Sequence, residues 1–338
     1  MYRHRLNRFM CRAAVAALAL TFIAGVALAG EIGHFNGGIM NIRDYRLPEP
    51  GFYAVAYNYF YSAKKVNDAK GNQITSFTAG GQTIGVSTDL NAYALVPALM
   101  WVTEIPSIGL RYGVFVSQAM TNSDLNVDLT SALGNRSFGT SAGFGLGDMF
   151  VSPFWIAKSV SDLDFGLSYG FYAPDGRYST EVINIPGLGA RTIESSDNIG
   201  LGFWTHQFQG IISWALPEKG TAANVALTYE LNTKKKDFDL TPGNVFTLNY
   251  GVSQYLPLTH DQTLLLELGP TGYNSWQVTA DKGTAASATL DNVSALGGQI
   301  GLTYVPLKLG FNVLAFFSYA AQDRPQGPSF SLNLAKMF

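Results

Sequence analysis

The sequence holds one cysteine, Cys11, and that residue lies in a segment read below as removed from the mature chain. Without a thiol, disulfide frameworks, zinc–thiolate sites and cysteine nucleophiles are excluded. Charge is scarce as well. Asp, Glu, Lys and Arg make up 14% of the chain, against roughly 25% in an ordinary soluble domain. The net charge of -2 offers no electrostatic case for nucleic acid. Past residue 29 no stretch approaches 18 consecutive apolar residues, so spanning helices are excluded too.

Aromatic residues, at 13%, and 36 glycines are plentiful. A barrel with one face in lipid needs few charges on that face and many amphipathic rings at its margins. Arg3, Arg5, Arg8 and Arg12 precede the uncharged apolar stretch Ala13 to Ala27, and Ala27-Leu28-Ala29 stands before Gly30. That order reads as a secretory signal over 1–29; its apolar run is shorter than the roughly 20 residues a membrane anchor needs.

Period-2 alternation is clearest in Asp164 to Ala173, Ala222 to Leu231 and Leu309 to Ala321. Weaker matches cover Phe52 to Ala63, Leu90 to Val102, Ile108 to Met120, Gly147 to Lys158, Asn198 to Leu216, Val245 to Leu256, Thr263 to Tyr273, Ser294 to Val305 and Phe330 to Phe338. Most are near the 9 to 11 residues of a tilted membrane strand. Short connections alternate with long ones throughout. The expected fold is therefore all-β: a transmembrane up-and-down antiparallel barrel of about 12 strands over 51–338, ending on the aromatic Phe338. Trp101, Trp155, Trp214 and Tyr304 are expected to form an aromatic girdle at the short-turn end, and Tyr59, Tyr61, Phe171, Tyr172 and Tyr229 one at the other end. Residues 30–50, with no period, either plug the lumen or hang in the periplasm.

Several short motifs carry a family resemblance: Gly33-His34-Phe35 with Gly37-Gly38, Pro48-Glu49-Pro50-Gly51-Phe52-Tyr53, Tyr57-Asn58-Tyr59, Gly145-Leu146-Gly147-Asp148 before Ser152-Pro153, and Pro174-Asp175-Gly176-Arg177-Tyr178. With these the chain resembles outer-membrane proteins of the phenol-degradation meta-pathway type, a family distantly similar to outer-membrane transporters of fatty acids and aromatic hydrocarbons. The resemblance implies passive uptake of small hydrophobic or aromatic compounds across the outer membrane of a Gram-negative bacterium. The alternative is a general or weakly selective porin for polar solutes.

No catalytic residue, cofactor or metal site is expected. Of the three histidines after residue 29, His34 lies in the leading segment, His260 in a short turn and His206 on a strand without a serine two residues on. Arg111, Asp148, Lys158 and Glu267 interrupt apolar strands, and an Arg or Lys facing lipid at mid-depth costs about 2–4 kcal/mol, so these four should face the lumen. With Asn224, Thr228, Asn249, Gln299, Asn312 and Asn333 they would line a polar interior, as a substrate path or as a structural hydrogen-bond network. Pro97 and Pro153 fall inside strands, where each removes a ladder donor. Either could adjust curvature, or open the wall sideways, as happens in the fatty-acid transporters. The expected partners are outer-membrane lipid and lipopolysaccharide, the latter through Lys234-Lys235-Lys236, the barrel-assembly machinery through the C-terminal strand, and a small hydrophobic solute.

Overall fold

The computed structural model describes residues 33–338 apart from 80, 133 and 186–188; the segment 1–29, expected as a secretory signal, lies outside the described residues. Twelve strands make the wall: β1 (Gly51–Ala63), β2 (Gln82–Ile105), β3 (Leu110–Ser131), β4 (Gly134–Val160), β5 (Leu163–Ala173), β6 (Thr205–Leu216), β7 (Thr221–Asn232), β8 (Val245–Pro257), β9 (Leu264–Gln277), β10 (Asn292–Tyr304), β11 (Leu309–Gln322) and β12 (Pro328–Met337). Each pairs antiparallel with its neighbours in sequence, and β1 also pairs with β12, from Tyr53 opposite Met337 to Tyr61 opposite Ser329. That last ladder closes the sheet into a barrel and satisfies backbone groups that an open edge would leave bare.

Alternation explains which side faces in. On β6, Thr205, Gln207, Gln209 and Ser213 are buried while Phe208, Ile212 and Trp214 are exposed. On β7, Asn224, Thr228 and Glu230 are buried while Val225, Leu227 and Leu231 are exposed. Polar side chains inside and large apolar ones outside invert a water-soluble domain, and they suit a wall surrounded by hydrocarbon.

At one end the connections are short: residues 106–109, 161–162 and 258–263, and the 3-10 turns Pro217–Lys219 and Val305–Leu307. Those two turns close on Gly220 and Lys308 in the left-handed conformation. At the other end, two segments expected as loops are largely strand. β2, β3 and β4 run 24, 22 and 27 residues, about twice a membrane span, and stand beyond the barrel as a ribbon. Ile84, Val127 and Leu129 form a small core there with Phe77, Leu125 and Phe138. The Asn, Asp, Ser and Gly between these residues read as loop, while the apolar positions in reality alternate across paired strands. Conversely, β6 starts at Thr205, not Asn198.

β4 departs from regular pairing. Against β3 its register shifts between Gly113 and Phe115, between Gln118 and Met120, and between Thr121 and Ser123; against β5 it shifts between Val151 and Phe154. An extra residue at Pro153 makes three steps of β4 oppose two on each side. Counting by twos from Asp148 would put Lys158 inside and Trp155 outside, but one extra residue reverses the faces beyond it. Trp155 is accordingly buried in the lumen and Lys158 exposed, opposite the outward Phe165. This corrects both expectations. At the other end Tyr59, Tyr61 and Tyr172 also face inward, bordering internal cavities. Tyr59 and Tyr61 share the inner face of β1, and Tyr172 follows the outward Phe171, whose neighbour must point the other way.

Candidate functional site

Residues 33–50 run through the lumen from the long-loop end to the short-turn end, and the inner wall holds them at each level. His34 Nε2 lies 2.8 Å from Asp148 Oδ2 and its Nδ1 lies 2.8 Å from Thr205 Oγ1. The Phe35 N–H donates to Glu230 Oε1 at 2.8 Å. Farther down, Asn333 Nδ2 donates to the Ile39 carbonyl at 2.9 Å, and the Ile42 N–H to Gln299 Oε1 at 2.8 Å. A 3-10 turn, Ile42–Tyr45, follows; Asn41 caps it in a capping box with Asp44.

This turn buries Ile42 and Tyr45, and Leu47 is buried just after it. The wall makes room with two glycines. A Cβ on Gly251 would lie 2.6 Å from Ile42 Cγ1, and one on Gly113 would lie 2.7 Å from Leu47 Cδ1, so a side chain at either place would displace the strap.

The short-turn end carries the charges. Arg43 Nε donates to Glu267 Oε1 at 2.7 Å, and its guanidinium lies 3.8 Å from the centre of the Tyr255 ring. Arg111 donates to the Leu47 carbonyl and to Asp164, and Arg46 reaches the same Asp164 carboxylate at 3.5 Å. At the opposite end Asp148 is a second hub. Besides His34 it accepts the N–H groups of Gly176 and Leu201, tying both ends of the long connection between β5 and β6 to the strap.

Nine of the ten candidate lumen residues, all but Lys158, are buried on the inner wall, but they do not gather into one site. Arg111 and Glu267 hold the strap at one end and Asp148 at the other, with Gln299 between them. Thr228 accepts from Gln209 at 2.9 Å. Asn312 sits over Gly301 and opposite Asn333. Among the described residues the Asn224 amide has no hydrogen-bond partner for either atom. His34, Arg43, Asp164 and Glu230 were not singled out from sequence. Their signal is complementarity: a non-periodic segment carrying His34, Arg43 and Arg46 needs acids inside the barrel, and Asp164 and Glu230 are inward positions on strands. In the lysine run, Lys234 pairs with Asp239 and Lys235 with Glu194, each at 2.7 Å. Lys234 holds the exposed Asp239 carboxyl down at about 2.

His34, Phe35 and Asn36 border two cavities. One, of about 390 Å³, opens toward the long connections between Tyr59, Tyr61, Tyr273 and Arg324. The other, of about 150 Å³, lies between the strap and β1 to β6. The wall beside the smaller cavity is irregular. Pro97 pairs with Ala56 on β1, but the ladder to β3 lapses between Leu95–Met120 and Ala98–Ser117. Pro153 occupies the β4 bulge, where its carbonyl accepts the Tyr112 hydroxyl at 2.6 Å. Pro270, in β9, belongs to the same class and was overlooked; the ladder to β8 lapses between Gly251–Thr271 and Gln254–Leu268.

Residues 74–334 match the family described as "Putative MetA-pathway of phenol degradation". Among solved structures, an outer membrane channel from Pseudomonas putida F1 aligns with a TM-score of 0.61 at 13% identity, covering 88% of this chain and 100% of that one. A Pseudomonas aeruginosa FadL homologue aligns with a TM-score of 0.36 at 10% identity, covering 88% and 92%. No curated protein matches the chain. The first likeness shows the fold, a closed β-barrel. With more than two thirds of its length inside the family match, the chain belongs to the phenol-degradation MetA-pathway family.

Proposed function

We propose that the protein is a passive channel in the outer membrane of a Gram-negative bacterium, admitting small hydrophobic or aromatic compounds. Family membership, the apolar outer face and the name of the Pseudomonas putida channel support this reading. The observation that carries it is the three-residue partition His34 to Asn36, with an outer vestibule on one side and a small ring-lined cavity on the other. A solute entering from the long-loop end passes once the partition shifts. It then leaves through the wall where the ladders lapse at Pro97 and the strand bulges at Pro153. An apolar molecule gains by going sideways, because the bilayer is a better solvent for it than the periplasm.

Lipid would meet the exposed apolar band, and the barrel-assembly machinery would read the strand that ends at Phe338. The porin alternative draws support from the polar inner faces of β6 to β8. Conductance in planar bilayers separates the two. The parent chain should pass ions poorly, and a chain lacking residues 33–47 should pass them freely; a large steady conductance through the parent would favour a porin and remove the gated reading.

A further inference from the structure

His34 stands where the strap enters the barrel, its side chain 5% exposed, and the bonds around it fix how many protons its ring carries. Asn232 Nδ2 donates to the Gly243 carbonyl at 2.8 Å, which turns Asn232 Oδ1 toward Thr205. The Thr205 hydroxyl donates its one hydrogen to that oxygen at 2.6 Å. Thr205 Oγ1 therefore offers His34 only lone pairs, and the 2.8 Å contact needs a proton on His34 Nδ1. On the other side Nε2 meets Asp148 Oδ2 at 2.8 Å, an oxygen that already accepts the Leu201 N–H, while Oδ1 accepts that of Gly176. A carboxylate only accepts, so Nε2 needs a proton as well. Two N–H groups on one ring define the imidazolium.

We infer that the second proton of His34 is a latch on the outer end of the strap: it fastens the strap to both β4 and β6, and its loss as the outside pH rises lets the partition shift. The ring borders the 390 Å³ cavity that opens toward the long connections, so protons reach it from outside. Burial opposes the imidazolium and the Asp148 carboxylate favours it. Histidine changes charge between about pH 5 and 8. Three other ionisable groups face this place. Tyr172 of β5 stacks on the ring, with centroids 4.6 Å apart. Lys235, after β7, pairs with Glu194 and lies 5.8 Å from the centre of the Phe203 ring, which meets His34 edge-on. Glu230 of β7 accepts the Phe35 N–H, and its ionisation strengthens that hold, opposite in sense to the latch. A neutral His34 must either turn a lone pair on Asp148 or take the Thr205 hydrogen from Asn232. Losing that charge-assisted bond shifts the opening equilibrium about tenfold.

The experiment reads the strap through one thiol. Met40 borders the smaller cavity, under the partition, and with Cys11→Ser a Met40→Cys change supplies the only thiol in the full chain. Its reaction with a dipyridyl disulfide is followed in detergent with and without His34→Gln, heat-modifiable gel mobility showing that the barrel is closed. The ratio of the two rates at one pH cancels the ionisation of the thiol itself. His34→Gln should react about tenfold faster than the parent at pH 5 and at nearly the same rate at pH 8. Glu230→Gln added to both chains should leave that change in place. A ratio that is the same at both pH values, or that changes only while Glu230 is present, overturns the inference. Should His34→Gln fail to close, nitrogen NMR of the histidine-labelled parent carries the test, with His206→Asn and His260→Asn assigning the signals. Both His34 ring nitrogens should be protonated at pH 5 and one should have lost its proton by pH 8; a ring neutral at pH 5, or still doubly protonated at pH 8, overturns the latch. The latch rests on the partition of the proposed channel, but neither readout uses transport. A chain that shows the ratio yet conducts no ions even without residues 33–47 keeps the latch and loses the channel.

Discussion

Two parts of the same wall were built by different rules. β6, β7 and β8 have 12, 12 and 13 residues, and their ladders to one another show no register shift. β2, β3 and β4 are about twice as long and carry three shifts on the β3–β4 ladder, besides a lapse beside Pro97. In the regular part, every inward or outward assignment follows from period 2 alone. In the irregular part each extra residue reverses the assignment beyond it, so a side chain's role depends on a defect elsewhere in the strand. The regular part is therefore a wall, and the irregular part combines the ring-lined cavity, Pro97 and Pro153, and the ribbon that stands outside the barrel.

The largest expected effect tests the charges that anchor the strap beside the irregular part. Asp164 is almost fully buried and shared by Arg111 and Arg46. Asp164→Asn leaves the Arg111 guanidinium, only 10% exposed, with no carboxylate but the exposed Glu49 at 3.7 Å, and breaking such a buried pair costs about 3 kcal/mol or more. Glu267→Gln on the opposite side should cost less, about 1 kcal/mol, because its partner Arg43 is 24% exposed and partly solvated. Urea unfolding in lipid vesicles measures both. Equal losses would show that the two anchors do not differ as their burial says.

Next in size is a charge on the regular wall. Leu227 is exposed at mid-strand on β7, and Leu227→Arg should cost about 2–4 kcal/mol if that face meets hydrocarbon. Lys158→Ala, at an exposed position two residues from the end of β4, should cost almost nothing. Unfolding in vesicles again reads the difference. A tolerated Leu227→Arg would mean that the exposed apolar band is not a lipid contact.

The fold was legible because it rests on a repeated local signal. Twelve segments each need only a face of Leu, Val, Phe or Tyr alternating with polar or small residues, and the misjudged boundaries lie where Asn, Asp and Gly sit between apolar positions, as in Leu125-Asn126-Val127-Asp128-Leu129. The inward positions of Asn224, Thr228, Gln299 and Asn312 were legible for the same reason. Trp155 and Lys158 were not, because the bulge that reverses them comes from an extra residue whose presence is a property of two neighbouring strands. The strap was illegible in a different way. Its structure is made by partners 64 to 294 residues away, such as Arg111 for Leu47, Asp148 for His34 and Asn333 for Ile39, and no local period records them.

The smallest expected effect distinguishes the two prolines within the irregular part. At Pro97 the register on either side of the lapse is unchanged, since Leu95 faces Met120 and Ala98 faces Ser117 in one continuous count. Only a donor is missing, so Pro97→Val can restore a ladder bond to β3 worth about 1 kcal/mol. At Pro153 the register does shift, and the neighbouring strands hold the extra residue whatever its identity. Pro153→Val therefore keeps the bulge, Trp155 stays in the lumen, and stability changes little. If solute leaves through this wall, Pro97→Val should slow uptake of a dilute aromatic compound by a few fold while Pro153→Val keeps the parental rate. Radiolabel uptake, with outer-membrane levels matched by immunoblot, reads both variants side by side. Parental uptake in Pro97→Val would make the lapse at Pro97 a matter of curvature, whereas slowed uptake in Pro153→Val would show that the bulge depends on proline and not on its neighbours.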